Sequence, residues 1–304
     1  MKRWILGVFF LWMGGVLAAC AAESTQAGML LTPSATVLPW EETPPIQSAF
    51  PPPCDAVYQT WVSPVDGSVL VCVPAGEFWM GAQEKDLEAK PYEKPAHRVM
   101  LDAFWLDQTE VTNRQYAECV AAGGCDLLPE TRSNTRQFYY GSALYQEHPV
   151  IYIGWEQAQQ YCTWAGRRLP TEAEWEKAAR GTDGRVYPWG NYANGSYANY
   201  GYTDGGGDTL RVGSYPKGAS PYGALDMAGN VWEWTADWFD ENAYSDYRPN
   251  EVVVNPTGPQ TGEHRVVRGG AFRGDYTIVR ASMRGNLSPM TQADYFGFRC
   301  AVTP

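Results

Sequence analysis

The stretch that decides the fold is Arg265-Val266-Val267-Arg268-Gly269-Gly270-Ala271-Phe272, followed near the end of the chain by Tyr295-Phe296-Gly297-Phe298-Arg299-Cys300-Ala301. Three further motifs precede it, and they are Cys162 to Glu176, Tyr187-Pro188-Trp189-Gly190-Asn191, and Asp226-Met227-Ala228-Gly229-Asn230-Val231-Trp232-Glu233-Trp234. The 304 residues include 13 Trp, 19 Tyr and 31 Gly, with few long aliphatic runs. This composition favours a loop-rich structure that is held together by aromatic packing.

Taken in order from about Val73 to Ala301, these motifs resemble the formylglycine-generating enzyme family, also called the sulfatase-modifying factor family. The run from Cys162 to Glu176 matches the family over a length that makes a chance match improbable. The resemblance implies the family's α+β fold, which is related to C-type lectins and has a few helices, a small twisted sheet and much irregular chain. It also implies an enzyme family that converts a sulfatase cysteine into formylglycine, using two cysteines that hold copper.

The positions of those two cysteines carry other residues in this chain. The resemblance places them at Gly274 and Val279, and the serine that usually follows the Gly-Gly pair is Ala271. Neither glycine nor valine supplies a thiolate nucleophile or a soft ligand for copper(I). We therefore expect no bound copper and no catalytic residues of the family's kind.

The N-terminus predicts export. Lys2 and Arg3 precede an apolar run that ends in Leu17-Ala18-Ala19-Cys20, which is typical of a signal peptide over residues 1–19. The spacing resembles a bacterial lipobox, in which Cys20 is lipidated and becomes the first residue of the mature protein. The alternatives are an ordinary secretory cut with Cys20 in a disulfide, and a spanning helix, for which the run is shorter than the roughly 20 residues required.

Residues 20–55 are rich in Pro, Thr, Ser and Ala and have no helical or strand period. We interpret them as a tether that holds a globular domain, residues 56–304, outside the cytoplasm and anchored to the cell membrane. The alternative is a pro-segment packed on the domain. The formal net charge of -11 and the pI of about 4.8 argue against nucleic acid and against direct binding to an anionic bilayer, and they are compatible with calcium.

Without Cys20, six cysteines remain, and an even count in an exported chain indicates disulfides. Cys119 and Cys125 flank a predicted helix end and can close a short loop. The resemblance implies a Cys162–Cys300 bridge. Cys54 and Cys72 are then left to each other.

Capping signals predict three helices. Thr112 is the expected N-cap of the first, which Gly123-Gly124 stops, and the second runs from about Trp155 to Trp164. Thr171-Glu172-Ala173-Glu174 forms a capping box for the third, which ends at Gly181. Two segments read as strands, Val73–Gly81 and the alternating run within Glu93–Leu106.

The resemblance also implies two structural calcium sites, since hard cations prefer carboxylate, amide and carbonyl oxygens. The first would use the side chains of Asp226 and Glu233 and the carbonyls of Gly229 and Val231. The second would use the side chains of Asn199 and Asp204 and the carbonyls of Tyr200 and Gly206, with Asp208 as a substitute for Asp204. The alternative is a set of turns that holds no ion.

Arginines of the closing segment divide into two expected groups. Arg280 and Arg299 are expected to pair internal acids as part of the framework. Arg273 and Arg284 are expected to border the groove in which the family binds its substrate.

Three classes of function are compatible with these observations. The first is a membrane-tethered extracytoplasmic module that binds a protein, peptide or small-molecule ligand and does not generate formylglycine. The second is an oxidoreductase or other enzyme of the same superfamily with a different active site, because fold does not fix function. The third is a diversified surface receptor, although residues 271–290 lack the dense Asn, Ser and Tyr pattern of variable regions.

Overall fold

The structure is a computed structural model that describes residues 50–304 except 202–206, 246, 249 and 250. Cys20, the predicted signal peptide and most of the predicted tether therefore lie outside the described residues, as do Asp204 and Gly206. Within the described part of the chain, no helix is long and apolar enough to cross a bilayer.

The three helices begin where the capping signals predict. They are α1 (Asn113–Ala121), α2 (Trp155–Trp164) and α3 (Glu172–Arg180). The Thr112 side chain accepts from the Gln115 amide, and the Thr171 side chain accepts from the Glu174 amide. Each hydroxyl satisfies one of the free amides of a first helical turn, which fixes the point of entry.

The described part of the chain forms eleven short strands in three sheets. The first has the order β1-β2-β5-β11, the second β10-β6-β8-β9 and the third β3-β4-β7. Most neighbours are antiparallel, but β10 with β6 and β4 with β7 are parallel. The strands are β1 (Thr60–Val62), β2 (Val69–Val73), β3 (Gly76–Met80), β4 (His97–Leu101), β5 (Phe104–Asp107), β6 (Trp232–Trp238), β7 (Val252–Val254), β8 (Arg265–Arg268), β9 (Gly285–Leu287), β10 (Phe296–Gly297) and β11 (Ala301–Val302).

Both predicted strand segments are wrong in extent. Val73–Gly81 contains only the end of β2, followed by β3, and Glu93–Leu106 divides into β4 and β5. These last two strands belong to different sheets, because the chain turns at Asp102, whose backbone amide donates to the Asn255 side chain. Buried and half-buried residues alternate along β4, whereas all four residues of β5 are buried, so the two strands differ in pattern.

Two buried aromatic centres hold the sheets and helices together. Trp175 of α3 lies in a cluster with residues of β2, β3, β4 and β5, and Trp234 of β6 lies in a cluster with residues of α1, α2 and β8. The Trp175 indole donates to Glu233 Oε2 at 2.7 Å, and the Trp234 indole donates to the Ile153 carbonyl at 2.8 Å. The fold is α+β with little regular secondary structure, as predicted.

Residues 50–304, apart from the gaps named above, contain three disulfides, and they match the expected pairs: Cys54–Cys72, Cys119–Cys125 and Cys162–Cys300. The Cys162–Cys300 bridge joins α2 to the segment before β11 across a sequence separation of 138. Both of its cysteines are fully buried in the cluster around Trp234. This bridge ties the end of the chain to the centre of the domain.

Candidate functional site

The positions that the resemblance assigns to the family's two cysteines differ in exposure, since Gly274 is half-buried and Val279 is buried. Gly274 has a φ of +121°, and a Cβ placed there would lie 2.3 Å from Ile278 Cδ1. Real Cβ atoms do not approach other heavy atoms so closely, and the backbone conformation is one that side chains other than glycine rarely adopt. The backbone conformation and the packing therefore favour glycine at position 274.

Val279 fills the second position with an apolar side chain. It is fully buried in a cluster with Val186, Tyr187, Ala198, Tyr200 and Ala228, against which Trp189 and Ile278 pack. The valine methyl groups and the Ile278 side chain thus occupy the region where the family places its reactive thiols. Among the described residues, all six cysteines are in disulfides.

Aromatic residues border this packed region. The rings of Tyr187 and Trp189 stack with centroids 5.3 Å apart, and the Trp189 indole donates to the Tyr192 carbonyl at 2.9 Å. The Tyr192 side chain is 86% exposed and Tyr276 is 44% exposed. Exposed aromatic rings therefore lie beside the Val279 cluster, and no free thiol is found there among the described residues.

The four arginines that were predicted to belong to the framework or to the groove differ in their contacts. Arg280 binds Glu93 through two nitrogens and Asp86 through one, all at 2.7–2.9 Å, so its framework role is confirmed. Arg273 is partly exposed, and it binds Asp294 at 2.5 Å.

The prediction that Arg284 faces the groove is wrong. Its side chain is 1% exposed, and its Nε and Nη2 atoms donate to the two oxygens of Glu172 at 2.7 and 2.9 Å. Burial favours bidentate pairing of this kind, because an unpaired guanidinium is costly away from water.

Glu233, which was expected to supply side-chain oxygen to the first calcium site, pairs with an arginine. Both of its oxygens accept from Arg299, Nε to Oε2 and Nη2 to Oε1, at 2.7 Å each. Both side chains are fully buried. The described contacts thus assign Glu233 to an ion pair, and Arg299 has the framework role that was predicted for it.

Asp226 faces a carboxylate that the sequence analysis missed. Burial and the neighbouring Asp226 raise the pKa of Glu110 well above its usual range, and burial also raises the pKa of Asp226. Asp226 Oδ2 accepts from the Gly213 amide at 2.5 Å, whereas Glu110 Oε2 has no partner among the described residues. Two buried carboxylates in contact favour the uptake of protons or of a cation.

The second expected calcium set is also only partly assembled. Asn199 Oδ1 is buried without a partner in the described part of the chain, while Nδ2 donates to Asn230 Oδ1 at 3.2 Å. Asn230 in turn donates to Glu110 Oε1 at 3.0 Å, which links Asn199 to the carboxylate pair. Asp208 is not a free substitute ligand, because Ser133, Thr135 and Arg136 occupy its oxygens.

The remaining predicted calcium ligands that the structure describes are Gly229, Val231 and Tyr200. Gly229 has a φ of +82°, and a Cβ there would lie 2.3 Å from the Asn199 carbonyl, so glycine permits the two segments to meet. Val231 is buried, and Tyr200 packs in the cluster around Val279. Among the described residues, no three His, Cys, Asp or Glu side chains form a group that could hold a metal.

The comparisons with known proteins agree with the fold and its motifs. A family described as "Sulfatase-modifying factor enzyme 1-like domain" matches residues 60–304. The chain belongs to this family. The formylglycine-generating enzyme of Bos taurus is similar to it, with 32% identity over 286 residues that cover 77% of this chain and 74% of that protein.

Two further similar proteins extend the comparison. The serine/threonine-protein kinase pkn1 of Chlamydia pneumoniae is 37% identical over 243 residues, which cover 76% of this chain and 37% of that protein. The structure of PvdO from Pseudomonas aeruginosa has a TM-score of 0.66 and 26% identity, and the match covers 81% of this chain and 98% of that one.

Proposed function

We propose that this protein is a membrane-tethered extracytoplasmic binding module that retains the fold of the sulfatase-modifying factor family and does not generate formylglycine. The observation that carries the proposal is the packing at Gly274 and Val279. Copper-dependent cysteine oxidation needs soft ligands and a reactive thiolate. In this chain the corresponding region is filled by Ile278 and Val279, both apolar.

The binding surface that we propose is the aromatic border of the same region. Tyr192 and Tyr276 expose their rings, and their backbone carbonyls accept from the Trp189 indole and the Tyr187 hydroxyl, respectively. Tyrosine and tryptophan combine a large apolar area with a polar tip and lose little conformational entropy on binding. Such a surface suits a protein, peptide or small-molecule ligand.

The proposal predicts that no aldehyde forms in a sulfatase-type peptide. Purified protein would be incubated with copper, oxygen and a peptide that carries the cysteine to be modified, and mass spectrometry would follow the conversion. The formylglycine-generating enzyme of Bos taurus serves as the positive control. Conversion above the protein-free background would contradict the proposal.

A Gly274→Cys variant sharpens this experiment. It returns one thiol to the region, but its Cβ would lie against Ile278 and its backbone would be strained. We expect a lower melting temperature than that of the wild type and still no aldehyde. Aldehyde formation by this variant would show that the packing around 274 adapts easily.

We also propose a structural calcium ion next to Asp226. Glu110 Oε2 and Asn199 Oδ1 are buried oxygens without partners in the described part of the chain, and Asn230 joins the two side chains. Calcium accepts mixed carboxylate, amide and carbonyl oxygens. Its charge would offset the repulsion between Glu110 and Asp226, so its role would be to order this turn.

Calcium should therefore raise the melting temperature. At a hundred times its dissociation constant, a ligand that binds only the folded state adds about 2.7 kcal/mol to the free energy of unfolding. Glu110→Gln should abolish the effect, because it removes a charged oxygen but can keep the bond from Asn230. Glu118→Gln, at an exposed position, is the matched control. Identical melting curves in calcium and in chelator would contradict the proposal.

A further inference from the structure

A cleft is present outside the Val279 cluster, and none of the residues that line it belongs to that cluster. Its volume is about 660 Å³. Residues of α2, the start of α3, the end of β6, the segment 255–260 and the last residues of the chain form its walls. A cleft of this size can bury a ligand of small-molecule dimensions.

The guanidinium of Arg265 lies at this cleft between two indole rings. Its Cζ atom is 3.7 Å from the ring centroid of Trp155 and 3.5 Å from that of Trp238. Nη1 donates to the Ala236 carbonyl at 2.6 Å, while Nε is buried without a partner in the described part of the chain. Two aromatic faces hold the cation in a fixed orientation.

Arg265 differs from the other arginine of the cleft in its charge balance. Arg168 binds both oxygens of Glu174 at 2.7 Å, so this pair is neutral. No acid of the described residues lies within 4 Å of Arg265 to form such a pair. Asp237 acts on Arg265 electrostatically but forms no salt bridge with it, and Asp237 Oδ2 accepts from the Glu172 amide. The guanidinium can therefore still pair with an anionic group that enters the cleft.

The lining of the cleft also contains polar side chains, of which Asn255 is held in place by Asp102. Its side chain accepts from the Asp102 amide and donates to the Asp102 carboxylate, both at 2.9 Å. Thr257, Gln260 and Gln159 also line the cleft. These amide and hydroxyl groups can both donate and accept hydrogen bonds, as a ligand with several hydroxyl groups requires.

We propose that this cleft binds a sugar that carries a carboxylate, such as a uronic acid unit. The carboxylate would pair with Arg265, and the hydroxyl groups would bond to the polar side chains of the walls. The planar guanidinium matches carboxylate geometry and is oriented before the ligand arrives. This site is independent of the binding surface proposed beside Val279, so either proposal can fail without the other.

Two ligands that differ only at one carbon test the proposal. The full chain would be titrated with methyl glucuronide and with methyl glucoside, with binding followed by ligand-observed NMR. A charge-assisted hydrogen bond predicts about tenfold tighter binding of the glucuronide. Equal binding of both ligands, or no binding of either, would overturn the proposal. Acetate that binds as tightly as the glucuronide would also overturn it, because binding would then not require a sugar.

Two variants locate the site. Arg265→Gln should remove the preference for the glucuronide, and its melting curve shows whether it remains folded. Thr257→Asp places a negative charge on the exposed wall of the cleft, so it should weaken glucuronide binding about tenfold. Its effect on glucoside binding should be smaller, because the glucoside carries no charge. Glucuronide binding that survives Thr257→Asp at full strength would show that the ligand lies elsewhere.

Discussion

Replacing Glu172 with glutamine should lower the free energy of unfolding by about 3–5 kcal/mol, which is the usual effect of leaving a buried charge unpaired. Glu172 accepts from Arg284 and from Arg268, and all three side chains are at most 5% exposed. Arg268 keeps Glu176 as a second partner at 2.5 Å. Arg284 has no other acid partner among the described residues, so its charge would remain buried and uncompensated.

Chemical denaturation of the wild type and of Glu172→Gln measures this loss directly. Glu118→Gln is the matched control, because it breaks an exposed pair with Arg114 and should cost less than about 1 kcal/mol. Equal losses for the two variants would contradict the role that we assign to burial.

The same carboxylate predicts an effect of acid on stability. Burial alone would raise the pKa of Glu172, but Arg284 and Arg268 outweigh it and hold the pKa below its usual value. Because the folded pKa is depressed, this contribution to stability is present above the pKa of the unfolded chain. It is lost as the pH falls through the folded value, and the glutamine variant should lack it.

Removing the Cys162–Cys300 bridge by a double alanine substitution should also destabilise the domain strongly. The bridge closes a loop with a sequence separation of 138, for which the chain-entropy relation gives about 5 kcal/mol. Both cysteines are buried in the cluster around Trp234, so the loss of their packing adds to this effect. The measurement is the free energy of unfolding from denaturant titration.

The Cys119–Cys125 bridge is the matched comparison. Its sequence separation is 6, so the same relation gives about 2 kcal/mol for its removal. A larger loss for this short loop than for the long one would contradict the argument from loop length.

Local signals in the sequence predicted the helices well. Thr112 and Thr171 offer hydroxyl groups to the first turn of α1 and α3, and these bonds depend only on residues three positions apart. The strands could not be predicted as well, because their limits depend on distant partners. The turn at Asp102 is fixed by Asn255, which lies 153 residues further along the chain.

In the candidate site, too, some features follow from the sequence and others require the structure. The absence of cysteine at 274 and 279 can be read directly from the sequence, but the occupation of that region by Ile278 requires the structure. Glu233 was expected to bind calcium, yet it pairs with Arg299, 66 residues away. Glu110 and Arg265 carry no local motif, and only tertiary packing identifies them as buried groups without complete partners.

We propose that this member of the sulfatase-modifying factor family has no copper centre, and a copper(I) titration tests this proposal. The full chain with Cys20→Ser would compete with a chromophoric copper(I) chelator under conditions that leave disulfides intact. Because the six other cysteines are in disulfides and Gly274 and Val279 offer no soft ligand, we predict no transfer of copper to the protein. Uptake of one tightly bound copper(I) per chain would contradict the account.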